Sequence, residues 1–349
     1  MSKTAPTTGT VCQLPIACPA WVGLTINAAT IATAVQTVRK VLQLNQPLKI
    51  MKPYEHIHHV PSKHHKSLCL AFNHWLNVPK DKVDAIGDIL QTFHTATLLI
   101  DDVQDDSDFR YGLPAAHRVF SVGLTINAAI TVMAHTTVTK VMELDHPMAL
   151  RVYLDRFFET LRGQGIDLYW TDNFICPTEE EHIDMLKQKA GSFFVMAVQL
   201  LQLFSNSKRD YTELAMRIGV YYPIVDDYYN LFHPEALMRL TENNIQQRSS
   251  ADNFCSDISE CKFTLPFIHA LQYPDVADKI CDILKQRTSD PKLKRECISM
   301  LKKHGSDAYT RAVLSELETD IHMEINRLGG NPMLTRLMSD LSFRGHNHK

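Results

Sequence analysis

Glycine and proline are scarce, 13 and 16 in 349 residues. That leaves too few tight-turn residues for an all-β sandwich and makes long helices the leading architecture. Strand-like period-two alternation is nearly absent as well. A basic excess is also missing. The 36 Lys and Arg against 39 Asp and Glu give a net charge of −3, whereas a general nucleic-acid or anionic-membrane binder shows its cations in the total. No nucleic-acid partner is expected, and any bound polyanion must be met locally. The eight cysteines form no CxxC pair and have no regular spacing, the pattern of scattered reduced thiols in a cytoplasmic protein. Long apolar runs are wanting too. Thr4–Val38 contains no charged residue but is broken by Pro6, Pro15 and Pro19 and diluted with Thr, Asn and Gln. It falls short of the roughly 18 to 20 apolar residues of a spanning helix, so no stable membrane insertion is expected.

What is present is an internal repeat and a helical pattern. VGLTINAA at Val22–Ala29 recurs at Val122–Ala129, and matches continue at the same offset through Lys40/Lys140, Leu44/Leu144 and Pro47/Pro147. Two distant copies are too few for a solenoid. Residues 1–50 are therefore taken as an N-terminal extension in which 22–50 duplicates 122–150, ahead of a catalytic domain over 51–349. In that domain, Val83–Ile100 places apolar residues at three- and four-residue spacings. Similar stripes run through Val152–Leu161, Met185–Phe204, Tyr211–Leu231, Ile280–Leu284 and Val313–Leu328. Thr178–Glu181 reads as a helix start, a capping hydroxyl followed by acids at the positive end of the dipole. The polar run Thr241–Asp252 reads as a surface loop. The expectation is an all-α bundle of ten or more helices around a central cavity.

Two acidic clusters stand at the ends of apolar helices: Asp101-Asp102-Val103-Gln104-Asp105-Asp106 and Asp226-Asp227-Tyr228-Tyr229-Asn230. Asp101 and Asp105 are one helical turn apart, about 6 Å along the axis, and so share a face, as do Asp226 and Asn230. One such cluster alone is as easily a solvated acidic helix end. A matched pair, each following an apolar stripe, places like charges where a cation must offset them. Hard oxygen donors in this number suit Mg²⁺ completed by substrate phosphates.

DDVQD and DDYYN resemble the first and second aspartate-rich motifs of the trans-isoprenyl diphosphate synthases, most nearly the animal and insect geranylgeranyl diphosphate synthases. The resemblance runs from about Met51 to Leu341 and includes KPYEH (52–56), AFNHWLNVP (71–79), LLIDD (98–102), GQGIDLYW (163–170), CPTEEE (176–181), KFTLP (262–266) and RLGGNP (327–332). It implies the all-α isoprenoid synthase fold, a homodimer, and an allylic prenyl diphosphate as substrate. It also implies Mg²⁺, expected as three ions with Mn²⁺ as a substitute, held by Asp101, Asp102, Asp105, Asp226, Asp227 and Asn230. By the same resemblance Arg110, Lys189 and Lys262 contact the leaving diphosphate, with Lys63, Lys66 and His94 as further substrate-binding groups. Asp101, Asp102, Lys189 and Asp226 are the residues expected to carry catalysis.

Departures from the family pattern fall mainly on the acceptor side. Gly-Lys-x-x-Arg reads Ser62-Lys63-His64-His65-Lys66, and Arg-Arg-Gly-x-Pro reads Arg110-Tyr111-Gly112-Leu113-Pro114. Arg to Lys weakens a bidentate phosphate grip, and Arg to Tyr removes a charge. Phe-Gln-Ile-x-Asp-Asp becomes Tyr222-Pro223-Ile224-Val225-Asp226-Asp227, so a kink is expected at Pro223. Lys-Thr-Gly becomes Lys189-Ala190-Gly191, and a basic position appears as Asp252, with Arg248 the candidate to compensate. Ala96, a small side chain below the first motif, would leave room for a long prenyl chain.

Loss of the acceptor grip beside an intact ionising half is the pattern of a terpene synthase derived from a prenyl synthase, as is known among insects. The expected reaction is Mg²⁺-dependent ionisation of geranyl diphosphate to an acyclic monoterpene olefin such as ocimene or myrcene. The alternatives are a geranylgeranyl or farnesyl diphosphate synthase that condenses isopentenyl diphosphate with the allylic substrate, and a non-catalytic subunit of such a synthase. His56, His58, His59, His64 and His65 lack the partners and spacing of a transition-metal site. Tyr221, Tyr222, Tyr228 and Tyr229 are packing residues or cavity-lining rings able to face a carbocation, and Asn73, His74 and Trp75 are core or interface residues.

Overall fold

The computed structural model describes residues 49–58, 63–233 and 254–342. The first copy of the repeat up to residue 48, the run at 241–252 with Arg248 and Asp252, and His59 lie outside the described residues, as do the side chains of Lys63 and His64. The described chain is helical: α1 (Lys52–His58), α2 (Lys63–Leu76), α3 (Lys80–Gln104), α4 (Ala116–Val119), α5 (Val122–His135), α6 (Ala149–Asn173), α7 (Glu179–Leu186), α8 (Ser192–Gln202), α9 (Thr212–Phe232), α10 (Ser256–Ser259), α11 (Leu265–Ala270), α12 (Pro274–Lys285), α13 (Pro291–Lys303), α14 (Ser306–Arg327) and α15 (Pro332–Leu341). Among the described residues, strand is confined to β1 (Phe109–Arg110) and β2 (Leu113–Pro114).

The apolar stripes account for the long elements. Val83, Ile86, Ile89, Leu90, Phe93 and Ala96 are fully buried along α3, a periodicity that drives the helix through tertiary packing more than through propensity. Thr178 caps α7 as expected: its hydroxyl accepts from the Glu181 amide at 3.2 Å while the Glu181 carboxylate accepts from the Thr178 amide at 2.8 Å, a reciprocal capping box. α8 is the hub of the bundle, packing against α2, α3, α6 and α9, and it therefore neighbours both helices that end in an acidic motif. The run 122–144, which contains α5, is long and apolar enough to cross a membrane by length and composition; here α5 packs on α1 and α3. The six described cysteines are unpaired.

Two positions singled out from the sequence lie in these helices. α9 continues through Pro223 without interruption from Thr212 to Phe232. The proline removes one amide donor, the partner of the Gly219 carbonyl, and its ring is half-buried on the face of α9 that carries Tyr222 and Asp226. Ala96 is fully buried. The half-exposed positions one turn before the first motif are Thr97 and Leu98, because a residue five places before Asp101 falls on a different face from the carboxylate.

Candidate active site

On α3, His94, Thr97, Leu98, Asp101 and Asp105 form one half-exposed stripe between buried faces. On α9, residues 222, 223, 226, 227 and 230 are the open positions between 218 and 232. These spacings are those of single helical faces, and the two faces present the acidic motifs to a common set of cations.

The first cation comes from the hairpin. Phe109 pairs with Pro114 and Arg110 with Leu113, leaving a two-residue turn of Tyr111 and Gly112 with φ of 53° and 77°, the type I′ geometry that joins short antiparallel strands. A tyrosine held in that left-handed region carries strain of order 1 kcal/mol. The turn aims Arg110 back at α3, where Nε donates to Asp102 Oδ1 at 2.7 Å and Nη2 donates to Asp101 Oδ2 at 3.0 Å. The second cation rises from a π-helical turn, Lys187–Gly191, a local widening often found at functional sites. There Lys189 Nζ lies 2.6 Å from Asp167 Oδ2 on α6 and 3.8 Å from Asp101 Oδ1. The third follows α10: Lys262 Nζ is 2.9 Å from Asp105 Oδ2 and also pairs with Glu260. The fields of Arg110 and Lys262 reach Asp226, and those of Lys262 and Lys189 reach Asp227.

Charge is unbalanced at this place. Among the described residues, Asp101, Asp102, Asp105, Asp167, Asp226, Asp227, Asp257 and Glu260 outnumber the cations set against them, Arg110, Lys189 and Lys262 with Lys294 behind Asp257 and Glu260. Burial raises the Asp101 pKa, but Lys189, Lys262 and Arg110 overcome it and hold the group down at about 2. Lys189 and Lys262 likewise hold Asp167 and Glu260 down, whereas burial wins at the other carboxylates. It raises Asp102 and Asp105. Asp226 is open to the cleft yet walled by protein, and its pKa rises too. Burial together with the Asp226 charge pushes Asp227 up to about 7, and Asp257 stands well above the usual carboxylate range. Asp102 Oδ2 and Asp257 Oδ2 are buried without a hydrogen-bond partner. Surplus carboxylates with orphaned oxygens fit hard divalent cations, which relieve the repulsion that burial now resolves by proton uptake. Among the described residues no three ligating side chains converge into a closed cage, so the shell would be completed by oxygens of a bound ligand.

Asn230 stands apart from the other candidate ligands. Its amide donates to Ser256 Oγ at 3.0 Å and its carbonyl accepts from the Asp257 amide at 3.4 Å, which ties the open face of α9 to the start of α10. Lys66 is not drawn into the cluster either: it pairs with Asp84 at 2.9 Å with its side chain 55% exposed. His94 packs at a tilt against His65 and Phe193, with ring centroids 4.5 and 5.5 Å away. Asp167, Asp257 and Glu260 were not singled out from the sequence. A lone acid inside GQGIDLYW, and acids five and two residues before Lys262, were the signals available. Asn73 and Trp75 have structural roles, the first bonding the Val78 amide and carbonyl, the second donating to the Gly330 carbonyl at 2.9 Å.

The sequence profile described as Polyprenyl synthetase matches residues 47–301. The chain is 42% identical over 294 residues to a protein named terpene synthase from Matsumurasca onukii, covering 84% of this chain and 93% of that one. It is 38% identical over 301 residues to a geranylgeranyl pyrophosphate synthase from Mucor circinelloides f. lusitanicus, at 85% and 94% coverage. It is 36% identical over 294 residues to one from Dictyostelium discoideum, at 84% and 93%. With both acidic helices closed on three shared cations and similarity extending over most of each relative, the chain belongs to the polyprenyl synthetase family of trans-isoprenyl diphosphate synthases.

Proposed function

We propose that this enzyme is a Mg²⁺-dependent terpene synthase that ionises geranyl diphosphate and releases an acyclic monoterpene olefin, of the ocimene or myrcene kind, with diphosphate. One observation carries the reading: the cations of the ionising half are gathered and held, while the described acceptor-side residues are not drawn into that cluster. Lys66 is spent on Asp84 at the surface, an uncharged Tyr111 follows Arg110 in the hairpin turn, and His94 is packed under His65. The resemblance to a protein named terpene synthase supports the same choice.

Arg110 offers a planar fork and Lys189 and Lys262 two point charges. Their carboxylate partners Asp101, Asp102, Asp105, Asp167 and Glu260 hold them in place before substrate arrives, so little reorganisation accompanies the growth of negative charge on the departing diphosphate. Mg²⁺ when bound supplies Lewis-acid neutralisation of that leaving group, with Asp101, Asp102, Asp105, Asp226 and Asp227 as its ligands.

A second reading, condensation with isopentenyl diphosphate, is favoured by the names of the fungal and amoebal relatives and shares the ionisation step. Calorimetry with non-hydrolysable analogues tests the choice. With Mg²⁺, a geranyl thiolodiphosphate binds at micromolar concentration while isopentenyl thiolodiphosphate binds at least a hundredfold more weakly; equal affinities contradict the terpene synthase reading.

Pairing with a second copy is part of the proposal. Phe158, Leu161 and Tyr169 on α6 and Val122 and Ile130 on α5 are exposed, Phe158 at 61% and Ile130 at 57%, and we take these apolar side chains as the seat of the partner. Sedimentation of the native chain as a dimer, and of Phe158→Glu as a monomer, tests it.

A further inference from the structure

The face that α13 buries consists of Lys294, Cys297, Ile298 and Leu301, the three- and four-residue spacing of a core stripe. Its first member is a lysine, 3% exposed, and an ammonium is costly to bury unless something in the interior accepts from it. A backbone oxygen does: Nζ donates to the Phe254 carbonyl at 2.6 Å. The guanidinium of Arg295 stands over the Phe254 ring, 5.9 Å from its centroid, so two successive residues of α13 meet residue 254. Phe254 opens a strap, residues 254–262, that touches both acidic helices. On α9, the Asn230 side chain bonds Ser256 Oγ and the Asp257 amide, and the Cys255 thiol donates to the Leu231 carbonyl at 3.8 Å. At the end of α3, Ser107 donates to Glu260 Oε1 at 3.0 Å and Lys262 pairs with Asp105. The strap bends twice through left-handed residues, Cys255 with φ of 49° and Cys261 with φ of 59°, a strained path that its surroundings must hold. Arg287 Nη1 supports the Glu260 carbonyl at 3.4 Å from an exposed position, whereas Lys294 supports the strap from within the core.

We propose that Lys294 is a positioning residue for the anion site: by holding the Phe254 carbonyl it fixes the 254–262 strap against both acidic motifs and so sets how tightly a metal-bound diphosphate is held. This rests on the reading of the acidic motifs as that site, which the olefin-forming and coupling reactions share. Lys294 acts through the strap rather than on substrate. Its ammonium also lies in the field of Glu260 and Asp257, two carboxylates of a cluster with surplus negative charge. It therefore bonds the start of the strap and offsets charge at its middle. An apolar side chain of similar length would complete the α13 stripe as well, and exchanging a buried charge for such a residue is often neutral or stabilising. The stripe by itself does not call for a lysine, whereas the carbonyl of residue 254 calls for a donor.

Calorimetry of the full chain with Mg²⁺ and inorganic diphosphate tests it, alongside urea unfolding. Lys294→Met is expected to bind diphosphate about tenfold more weakly. Lys294→Arg keeps the charge and the donors and should stay within about threefold of native. Ile298→Ala, one turn along the same buried face, should lose stability with diphosphate affinity unchanged. Lys294→Gln keeps a donor without the charge and is expected to fall between native and Lys294→Met; it takes the place of the methionine variant should that fail to fold. Without metal, amide hydrogen exchange over 255–262 should quicken several-fold in Lys294→Met. Native-like diphosphate affinity in the methionine or glutamine variant overturns the proposal, as does an equal loss in Ile298→Ala, which would leave stability as the cause. Failure of the native protein to bind diphosphate counts against the site and the strap together, whereas native binding that Lys294 does not affect counts against the strap alone.

Discussion

Gly163 of α6 lies directly against the backbone of Lys189: a Cβ at 163 would approach the Lys189 amide nitrogen to 2.2 Å and its Cα to 2.6 Å. The π-helical turn that lifts Lys189 into the cleft thus depends on the missing side chain of a neighbouring helix. Gly163→Ala must push that turn away. It is expected to destabilise the protein by about 1–3 kcal/mol, as overpacking does, and to lower kcat by about a hundredfold through displacement of Lys189. Thermal unfolding and steady-state kinetics on one preparation check both.

Arg110 holds Asp102 with Nε and Asp101 with Nη2. Arg110→Ala leaves the buried Asp102 carboxylate uncompensated and is expected to lose about 3 kcal/mol in urea unfolding. Arg110→Lys restores a charge but not the fork; most of that stability should return while kcat stays about a hundredfold low. Full activity in the lysine variant would contradict a bidentate role.

Tyr111→Arg should return a phosphate-binding charge to the acceptor side. The expected outcome is acceptor-dependent prenyl diphosphate product rising about tenfold over the native background, larger in combination with Lys66→Arg. Unchanged affinity for isopentenyl diphosphate in both variants would show that the acceptor loss lies elsewhere.

His182 of α7 is buried beside the Asp167–Lys189 pair, with neither ring nitrogen hydrogen-bonded. Burial depresses its pKa from 6.5 to about 4. The unfolded chain therefore takes up a proton below about pH 6.5 and the folded chain only below about pH 4. Stability is full above pH 6.5 and is lost as pH falls through that window. The loss from this group at pH 5 is expected to be about 2 kcal/mol, and His182→Phe should flatten the dependence. Equal acid sensitivity of the two proteins in urea titrations between pH 5 and 8 would contradict it.

The helices were legible because α3 and α9 bury strict three- and four-residue stripes, and both acidic motifs stand at the ends of those stripes. The partners of the cations were less so. Asp167 reaches Lys189 from 22 residues away, and Glu260 meets Lys262 only because a tight turn at Cys261, with φ of 59°, folds the two side chains together. Sequence spacing reports neighbours on one element and is silent about such crossings. Asn230 is a further such crossing: it shares a face with Asp226, and its side chain also bonds Ser256 and the Asp257 amide. At Pro223 the missing amide donor was legible, and α9 extends through it from Thr212 to Phe232.

Product analysis with Mg²⁺ and geranyl diphosphate, with and without isopentenyl diphosphate, tests the central claim most directly. Headspace volatiles and prenyl diphosphates are measured separately. The account predicts an acyclic C10 olefin at a rate that isopentenyl diphosphate leaves unchanged, abolished in Asp101→Ala. Accumulation of C15 or C20 diphosphates only with the acceptor, and no olefin in its absence, would contradict it.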